Sequence, residues 1–204
     1  MNKDESERIT KSTKENAVGI LSEGFITLTK GIQILDQISR EEITLISEGD
    51  NINYLQKALE LYNIKNVGFI RGIEGKSGSE QLKTLFDFFI RIPHDKKIIF
   101  IWDCDKMKYS NLNRNANTIP FVFECNTSNS IAKKGIENLF STTLFDGFNK
   151  KITTSHGQEI TEFDEKRKKD FMNFILSRNK KEDFVNFSPL LNFISEDTLE
   201  LCNS

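Results

Sequence analysis

The feature that most constrains this fold is the segment KIIFIW, residues 97–102, an unbroken apolar run of five residues followed directly by Asp103. A strand that is apolar at every position is buried on both faces, which is typical of a parallel sheet covered by helices. The run therefore predicts a central strand, and the aspartate marks the point where that strand leaves the core.

Strand and helix patterns alternate on either side of this segment. Pro120 cannot donate a hydrogen bond to a neighbouring strand, so it indicates an edge position for the last strand. The alternation predicts an α/β fold with a mostly parallel sheet of about four strands flanked by helices. The other strand candidates are EITLIS (42–47), NVGFI (66–70) and TIPFVFE (118–124), and the helix candidates are INYLQKALELYNI (52–64) and SGSEQLKTLFDFFIRI (77–92), the latter capped by Ser77 or Ser79.

Composition divides the chain into three parts. Residues 1–40 are a polar N-terminal segment with a short helix predicted around Ile32, Leu35 and Ile38, and they are expected to act as a linker or docking segment. Residues 41–130 form the α/β core. Residues 131–204 are predicted to be a helical extension.

Three helical patterns support that extension. GIENLF (135–140) begins a short helix, and residues 160–178 and 182–195 have amphipathic patterns with Phe-rich faces.

Charge and cysteine content narrow the class of protein. The 28 basic and 30 acidic residues give a formal net charge of −2. This balance excludes a strongly basic, non-specific nucleic-acid binder but not a nucleic-acid enzyme. No apolar run approaches the roughly 18 residues of a membrane span, and the charged N-terminus lacks the apolar core of a secretory signal. Cys104, Cys125 and Cys202 form no metal-binding spacing, so a reducing cytoplasm is expected.

Acidic residues follow several predicted strands. Glu48 follows the first strand, Asp103 and Asp105 follow the third, and Glu124 ends the fourth. Ligands of open parallel sheets bind beyond the carboxyl ends of the strands, where these side chains converge. Carboxylates without His or Cys suit Mg²⁺ or Mn²⁺, and such a metal can activate water and neutralise a phosphodiester. Glu48 alone is more typical of a solvated loop, whereas the two aspartates alone are as compatible with a functional site as with a loop. Cys104, between the aspartates, is expected to point into the sheet packing.

The GIEGKS segment, residues 72–77, lies between a strand and a helix, as a phosphate-binding loop does. The Walker pattern requires glycine where this chain has Ile70, so a nucleotide P-loop is excluded and a Gly-rich turn is favoured. Lys76 is retained as a candidate phosphate contact.

ITLISEGD (43–50) combined with IIFIWDCD (98–105) resembles the topoisomerase–primase, or TOPRIM, domain. In that family the glutamate binds metal or assists proton transfer, and the aspartates hold Mg²⁺. The resemblance therefore assigns Glu48, Asp103 and Asp105 to catalysis and metal binding, and it assigns Gly49 to a tight turn.

Among TOPRIM proteins the chain is most similar to the nuclease domain of the OLD (overcoming lysogenization defect) family, through SEGDNI, IWDCD and KKGIENLF, from about residue 31 onward. The resemblance implies a further metal-binding glutamate, for which Glu137 is the candidate, although a helix first turn also favours a carboxylate. It also implies a catalytic lysine, for which the candidate is Lys169; Lys168, Lys133 and Lys134 remain alternatives. Lys133 and Lys134, with Lys76, are also candidate substrate contacts.

The chain departs from the OLD pattern in two respects. Ile52 occupies a position that is acidic in many OLD proteins, which indicates a weaker or differently built second metal site. The sequence also contains no Walker motif, so the resemblance implies a separate ATPase subunit or domain as partner.

The predicted function is a Mg²⁺- or Mn²⁺-dependent endonuclease that cleaves DNA, with an expected role in bacterial antiviral defence and possible homo-oligomerisation. Two alternatives remain at this point. One is a binding or regulatory module with the same fold and no turnover. The other is a phosphatase of the haloacid-dehalogenase type with Asp103 as nucleophile, although Met107 stands where that motif has Thr or Val.

Overall fold

The structure is a computed structural model that describes residues 41–71 and 78–201, together with Thr29 and Ile38, with only the backbone described for 196–201. The predicted polar segment and most of the predicted N-terminal helix lie outside the described residues, as do Lys76 and Ser77. Ile38 packs with the hydrophobic residues on one face of the sheet.

A four-stranded parallel sheet forms the centre of the molecule, which confirms the predicted α/β fold. The strand order is β2-β1-β3-β4, so β3 is central and β4 is an edge strand, as Pro120 indicated. The strands are β1 (Ile43–Ser47), β2 (Val67–Arg71), β3 (Lys97–Trp102) and β4 (Thr118–Val122), and the crossover helices are α1 (Asn51–Tyr62) and α2 (Gly78–Phe89).

Helices cover both faces of this sheet. Successive side chains of β3 point to opposite faces, so they pack into two separate hydrophobic clusters. Ile99 and Ile101 belong to one hydrophobic cluster with residues of α1. Phe100 and Trp102 belong to a second cluster with residues of α2. The unbroken apolar run of β3 is therefore explained by its burial on both faces.

The C-terminal part contains two helices and a β-hairpin. The prediction of one helix over residues 160–178 was wrong at its beginning, because residues 159–163 form a strand that pairs antiparallel with residues 149–153. GIENLF forms a 3₁₀ turn, and the helix predicted at 182–195 begins as a 3₁₀ segment. The elements are β5 (Asn149–Thr153), β6 (Glu159–Phe163), α3 (Lys168–Ser177) and α4 (Ser188–Leu201), with 3₁₀ segments at Met107–Tyr109, Ile136–Leu139, Thr142–Phe145, Glu165–Arg167 and Lys181–Phe187.

Phenylalanine side chains join the C-terminal part to the α1 face of the sheet. Phe140 packs against Tyr54 of α1, Phe171 of α3 and Phe184, with ring centroids 5.2–5.7 Å apart. Aromatic pairs of this kind contribute about 0.5–1.5 kcal/mol each beyond their burial. This packing holds the segments that contain Glu137 and Lys168 beside the carboxyl edge of the sheet.

The strand order creates a crevice between β1 and β3. The chain leaves β1 toward β2 on one side and leaves β3 toward β4 on the other. Such a topological switch point is where open α/β sheets bind ligands. Within the described part of the chain, no helix has both the length and the apolarity needed to cross a membrane.

Candidate active site

The ends of β1 and β3 bring Glu48 and Asp103 to the same crevice. The two strands pair in parallel with Ser47 opposite Ile101, so both acids lie at the carboxyl edge. Gly49 has a φ of +45°, a conformation that glycine adopts readily, and it turns the chain from β1 toward α1. This geometry supports the expected turn after Glu48.

Glu48 continues the alternation of β1 and lies against the first residue of α2. A Cβ atom added to Gly78 would overlap Oε2 of Glu48, so a larger residue there would displace this carboxylate from its present position. Burial raises the pKa of Glu48 from 4.5 to about 7, and the nearby Asp103 carboxylate adds to the increase. Its Oε1 is buried and has no hydrogen-bond partner among the residues that the structure describes.

Asp103 lies on the opposite side of the crevice, toward α1. The Asn51 side-chain amide donates a 2.8 Å hydrogen bond to its Oδ1. Burial raises the pKa of Asp103 from 3.8 to about 6, and the Glu137 carboxylate contributes to the shift. The position therefore favours neutralisation of the carboxylate, either by a proton or by a nearby cation.

Asp105 is held as an ionised carboxylate at the more exposed end of the cluster. Burial opposes its ionisation, but hydrogen bonds lower its pKa below the ordinary value. Lys106 Nζ lies 2.7 Å from Oδ2, and the Gly135 N–H donates to Oδ1 at 3.1 Å. Asp105 thus connects the loop after β3 with the turn before Glu137.

Glu137 and Lys168 form an ion pair at the side of the crevice. Lys168 Nζ lies 3.2 Å from Oε2 of Glu137, whose side chain is 3% exposed. Burial disfavours the charged amine, but Glu137 and Asp103 raise the pKa of Lys168 above its ordinary value. Glu137 Oε1 is buried and accepts no hydrogen bond from any residue in the described ranges. Burial and the nearby Glu137 carboxylate raise the pKa of the Tyr54 phenol. Its hydroxyl nevertheless has no partner among the described residues that meets hydrogen-bond distance and angle criteria.

The remaining predicted residues lie at the edge of the cluster or away from it. Lys169 is exposed on α3, whereas its neighbour Lys168 contacts Glu137. Lys133 and Lys134 are exposed, and Lys134 pairs with Glu165 at 3.7 Å. Glu124 is exposed after β4 and is not among the groups that shift the pKa of Glu48 or Asp103.

Two site residues that sequence reasoning missed are Asn51 and Gly78. Asn51 is four residues before the buried Leu55, so helical spacing from the apolar face of α1 was a usable signal. Lys168 likewise lies three residues before the buried Phe171. No local signal identified Gly78, because its role depends on where α2 begins relative to β1.

The cluster does not form a ready-made metal cage. Among the described residues, no three or more His, Cys, Asp or Glu side chains are arranged to hold a metal ion. The site instead combines two carboxyl groups with raised pKa, an ionised aspartate, and an ion pair between the buried Glu137 and the half-exposed Lys168. This combination can bind a cation together with an anionic ligand, and it can exchange a proton near neutral pH.

Comparison with known proteins gives no match: no protein-family model, no curated protein and no solved structure is similar to this chain.

Proposed function

We propose that this protein is a nuclease that uses Mg²⁺ or Mn²⁺ to hydrolyse phosphodiester bonds of DNA. The proposal rests on one observation: acidic residues and a lysine from four separate segments lie together at the switch point of a parallel sheet. These residues are Glu48, Asp103, Asp105 and the Glu137–Lys168 pair. Catalytic carboxylates that act together are commonly assembled in this way at strand ends.

The donor atoms fit a hard divalent cation. Within the described part of the chain, Glu48 Oε1 and Glu137 Oε1 are buried without hydrogen-bond partners, which is unfavourable for a carboxylate unless another group supplies the missing interaction. Mg²⁺ commonly binds one or two carboxylates and takes its other ligands from water and substrate phosphate. A site in which the protein supplies only some of the metal ligands is consistent with this coordination of Mg²⁺.

The side chains then have distinct roles in the proposed reaction. Asp103, held by Asn51, and Asp105, held by Gly135, offer oxygens to the cation, and Glu137 is a further candidate ligand. A bound divalent ion would activate water and neutralise phosphate charge. Glu48, whose pKa is about 7 in the metal-free protein, would be ionised beside the cation and is suited to accept the proton of the attacking water.

Lys168 completes the proposed site by supplying positive charge. It stays protonated beside Glu137 and Asp103 and is half-exposed toward solvent. An ammonium group there can stabilise the charge that develops on the phosphate. We therefore assign to Lys168 the role that the sequence had left open between several lysines.

The wider biological proposal follows the resemblance seen in the sequence. The segments ITLISEGD and IIFIWDCD resemble motifs of a TOPRIM domain of the OLD type, so we propose a role in antiviral defence with a partner ATPase and a homo-oligomeric assembly. This part is tested by co-purification with an ATPase encoded beside the protein and by the mass of the purified protein in solution.

Supercoiled plasmid incubated with Mg²⁺ or Mn²⁺ tests the activity. We expect nicked or linear product that EDTA abolishes, and loss of product in the Glu48→Ala and Asp103→Asn variants. Glu124→Ala is the matched control, because Glu124 also follows a strand but is exposed outside the cluster. Circular dichroism establishes that each variant is folded.

Three outcomes separate this proposal from its alternatives. Cleavage that persists in both cluster variants would remove the assignment. DNA binding without cleavage by the wild-type protein would support a binding module instead. A phosphorylated Asp103 trapped from a phosphomonoester would support a phosphatase.

A further inference from the structure

Two cysteines lie beside the carboxylate cluster at the ends of neighbouring strands. Cys104 follows β3 and Cys125 follows β4. The two strands pair in parallel, with Trp102 opposite Val122. Continued past the strand ends, this register places Cys104 opposite Glu124, one residue before Cys125. Neighbouring strands lie about 4.8 Å apart, so Cys125 is close enough to Cys104 for a disulfide.

The two side chains interact but differ in exposure. The Cys125 thiol is exposed, donates to the Cys104 carbonyl oxygen at 3.2 Å and interacts with the Cys104 thiol. Cys104 is 1% exposed and donates to Gly135 O at 3.5 Å and to Asn138 Oδ1 at 3.4 Å. A small oxidant therefore reaches Cys125 first, and Cys104 is the thiol placed to react with the oxidised sulfur.

We propose that Cys104 and Cys125 are an oxidation site that closes to a disulfide in the presence of a peroxide. Hydrogen peroxide oxidises the Cys125 thiol to a sulfenic acid and releases one water. Burial raises the pKa of the Cys104 thiol, so its proton leaves only as the new bond forms. The Cys104 sulfur attacks the Cys125 sulfur, the S–O bond breaks, and the hydroxyl leaves with that proton as a second water. In total the two thiols lose two electrons and two protons to one peroxide.

The disulfide changes the site because the present partners of Cys104 belong to it. Gly135, whose carbonyl accepts from the Cys104 thiol, also donates its N–H to Asp105. Asn138, the other partner, directly follows Glu137 in the chain. When the Cys104 sulfur turns toward Cys125, both contacts are lost and the loop of Asp105 separates from that of Glu137. Peroxide therefore lowers nuclease activity, a consequence that rests on the proposed function.

Peptide mapping tests the bond independently of activity. Trypsin places Cys104 in residues 98–106 and Cys125 in residues 115–133, so the linked pair has a unique mass. After brief treatment of the full chain with hydrogen peroxide, we expect these two peptides to be joined and to separate with dithiothreitol. Links that involve Cys202, links between molecules, or Cys125 oxidised to sulfinic acid without a link would overturn the proposal.

Activity measurements then test the regulatory consequence. We expect at least tenfold slower plasmid cleavage after peroxide, full recovery with dithiothreitol, and resistance in Cys125→Ser, whereas Cys202→Ser remains sensitive. A disulfide that forms without any loss of cleavage would overturn the regulation. If the reduced protein does not cleave DNA, the nuclease proposal fails but the disulfide proposal does not, because the linked peptides are detected independently of nuclease activity.

Discussion

The side-chain amide of Asn51 donates a 2.8 Å hydrogen bond to Oδ1 of Asp103, and this contact joins the beginning of α1 to the end of β3. Asn51 is 6% exposed, so the bond is shielded from competing water. It directs one oxygen of Asp103 toward α1 and leaves the other for the crevice. Asn51 is therefore a positioning residue of the proposed site.

Replacement of Asn51 by Ala should reduce metal-dependent cleavage by roughly 10- to 100-fold, because groups that orient a metal ligand have effects of that size. Loss of one hydrogen bond should lower the free energy of unfolding by about 1 kcal/mol. Initial cleavage rates over a range of Mn²⁺ concentrations measure the effect. Asn53→Ala is the matched control, since the Asn53 side chain accepts from Arg71. Equal losses in both variants would argue against positioning.

Gly78→Ala should impair cleavage far more than stability. The new methyl group would overlap Oε2 of Glu48, but a carboxylate at the end of a flexible side chain can rotate away. We expect at least tenfold slower plasmid cleavage with a free energy of unfolding within about 1 kcal/mol of wild type.

A double-mutant cycle with Glu48→Ala isolates this clash. Once Glu48 is shortened, Gly78→Ala should be neutral or slightly stabilising, because the overlapping atoms are gone. Urea unfolding of the four proteins measures the coupling. An equal cost of Gly78→Ala in both backgrounds would show that Glu48 is not the residue displaced.

Lys168 and Lys169 should differ sharply despite being neighbours. Lys168→Met leaves Glu137 buried without its partner, so we expect a loss of about 1–2 kcal/mol in stability and roughly 100-fold in cleavage rate. Lys169→Met should change the free energy of unfolding by less than about 0.5 kcal/mol, as surface substitutions do. Chemical denaturation and plasmid cleavage measure both, and Lys168→Arg should retain most of the stability. A larger loss of cleavage in Lys169→Met would return the catalytic role to that residue.

The stability of the metal-free protein should fall as the pH rises toward neutrality. Burial and Asp103 raise the pKa of Glu48 from 4.5 to about 7, so the folded protein retains a proton that the unfolded chain releases. The stabilisation is complete below pH 4.5 and is lost as the pH rises through about 7. We expect Glu48→Gln to remove about 1 kcal/mol of this dependence, because Glu48 is only partly shielded from solvent.

Urea unfolding at about pH 5 and about pH 8 in the presence of EDTA measures this difference. Mg²⁺ should act in the opposite direction, since it binds the ionised carboxylate and stabilises the protein more at the higher pH. A pH dependence that is the same in wild type and Glu48→Gln would contradict the raised pKa.

The β5–β6 hairpin shows why part of the fold could not be predicted. Ile160 and Phe163 are three residues apart, a spacing that also suits a helix, and helical spacing continues to Phe171. The strand forms because Glu159–Phe163 pairs with Asn149–Thr153, a non-local contact that a short pattern does not encode. The four parallel strands could be predicted because continuous apolar runs are local and specific.

The sequence alone determined the α/β core and the acids at its strand ends, because an apolar strand and the residue after it are adjacent in the chain. Tertiary packing decided which groups meet those acids. Consecutive residues of a helix point about 100° apart, so the burial of Phe171 turns Lys168 toward Glu137 and leaves Lys169 in solvent. Gly78 contacts Glu48 only because α2 begins beside the end of β1. The two residues are 30 positions apart, so no local sequence pattern predicts this contact.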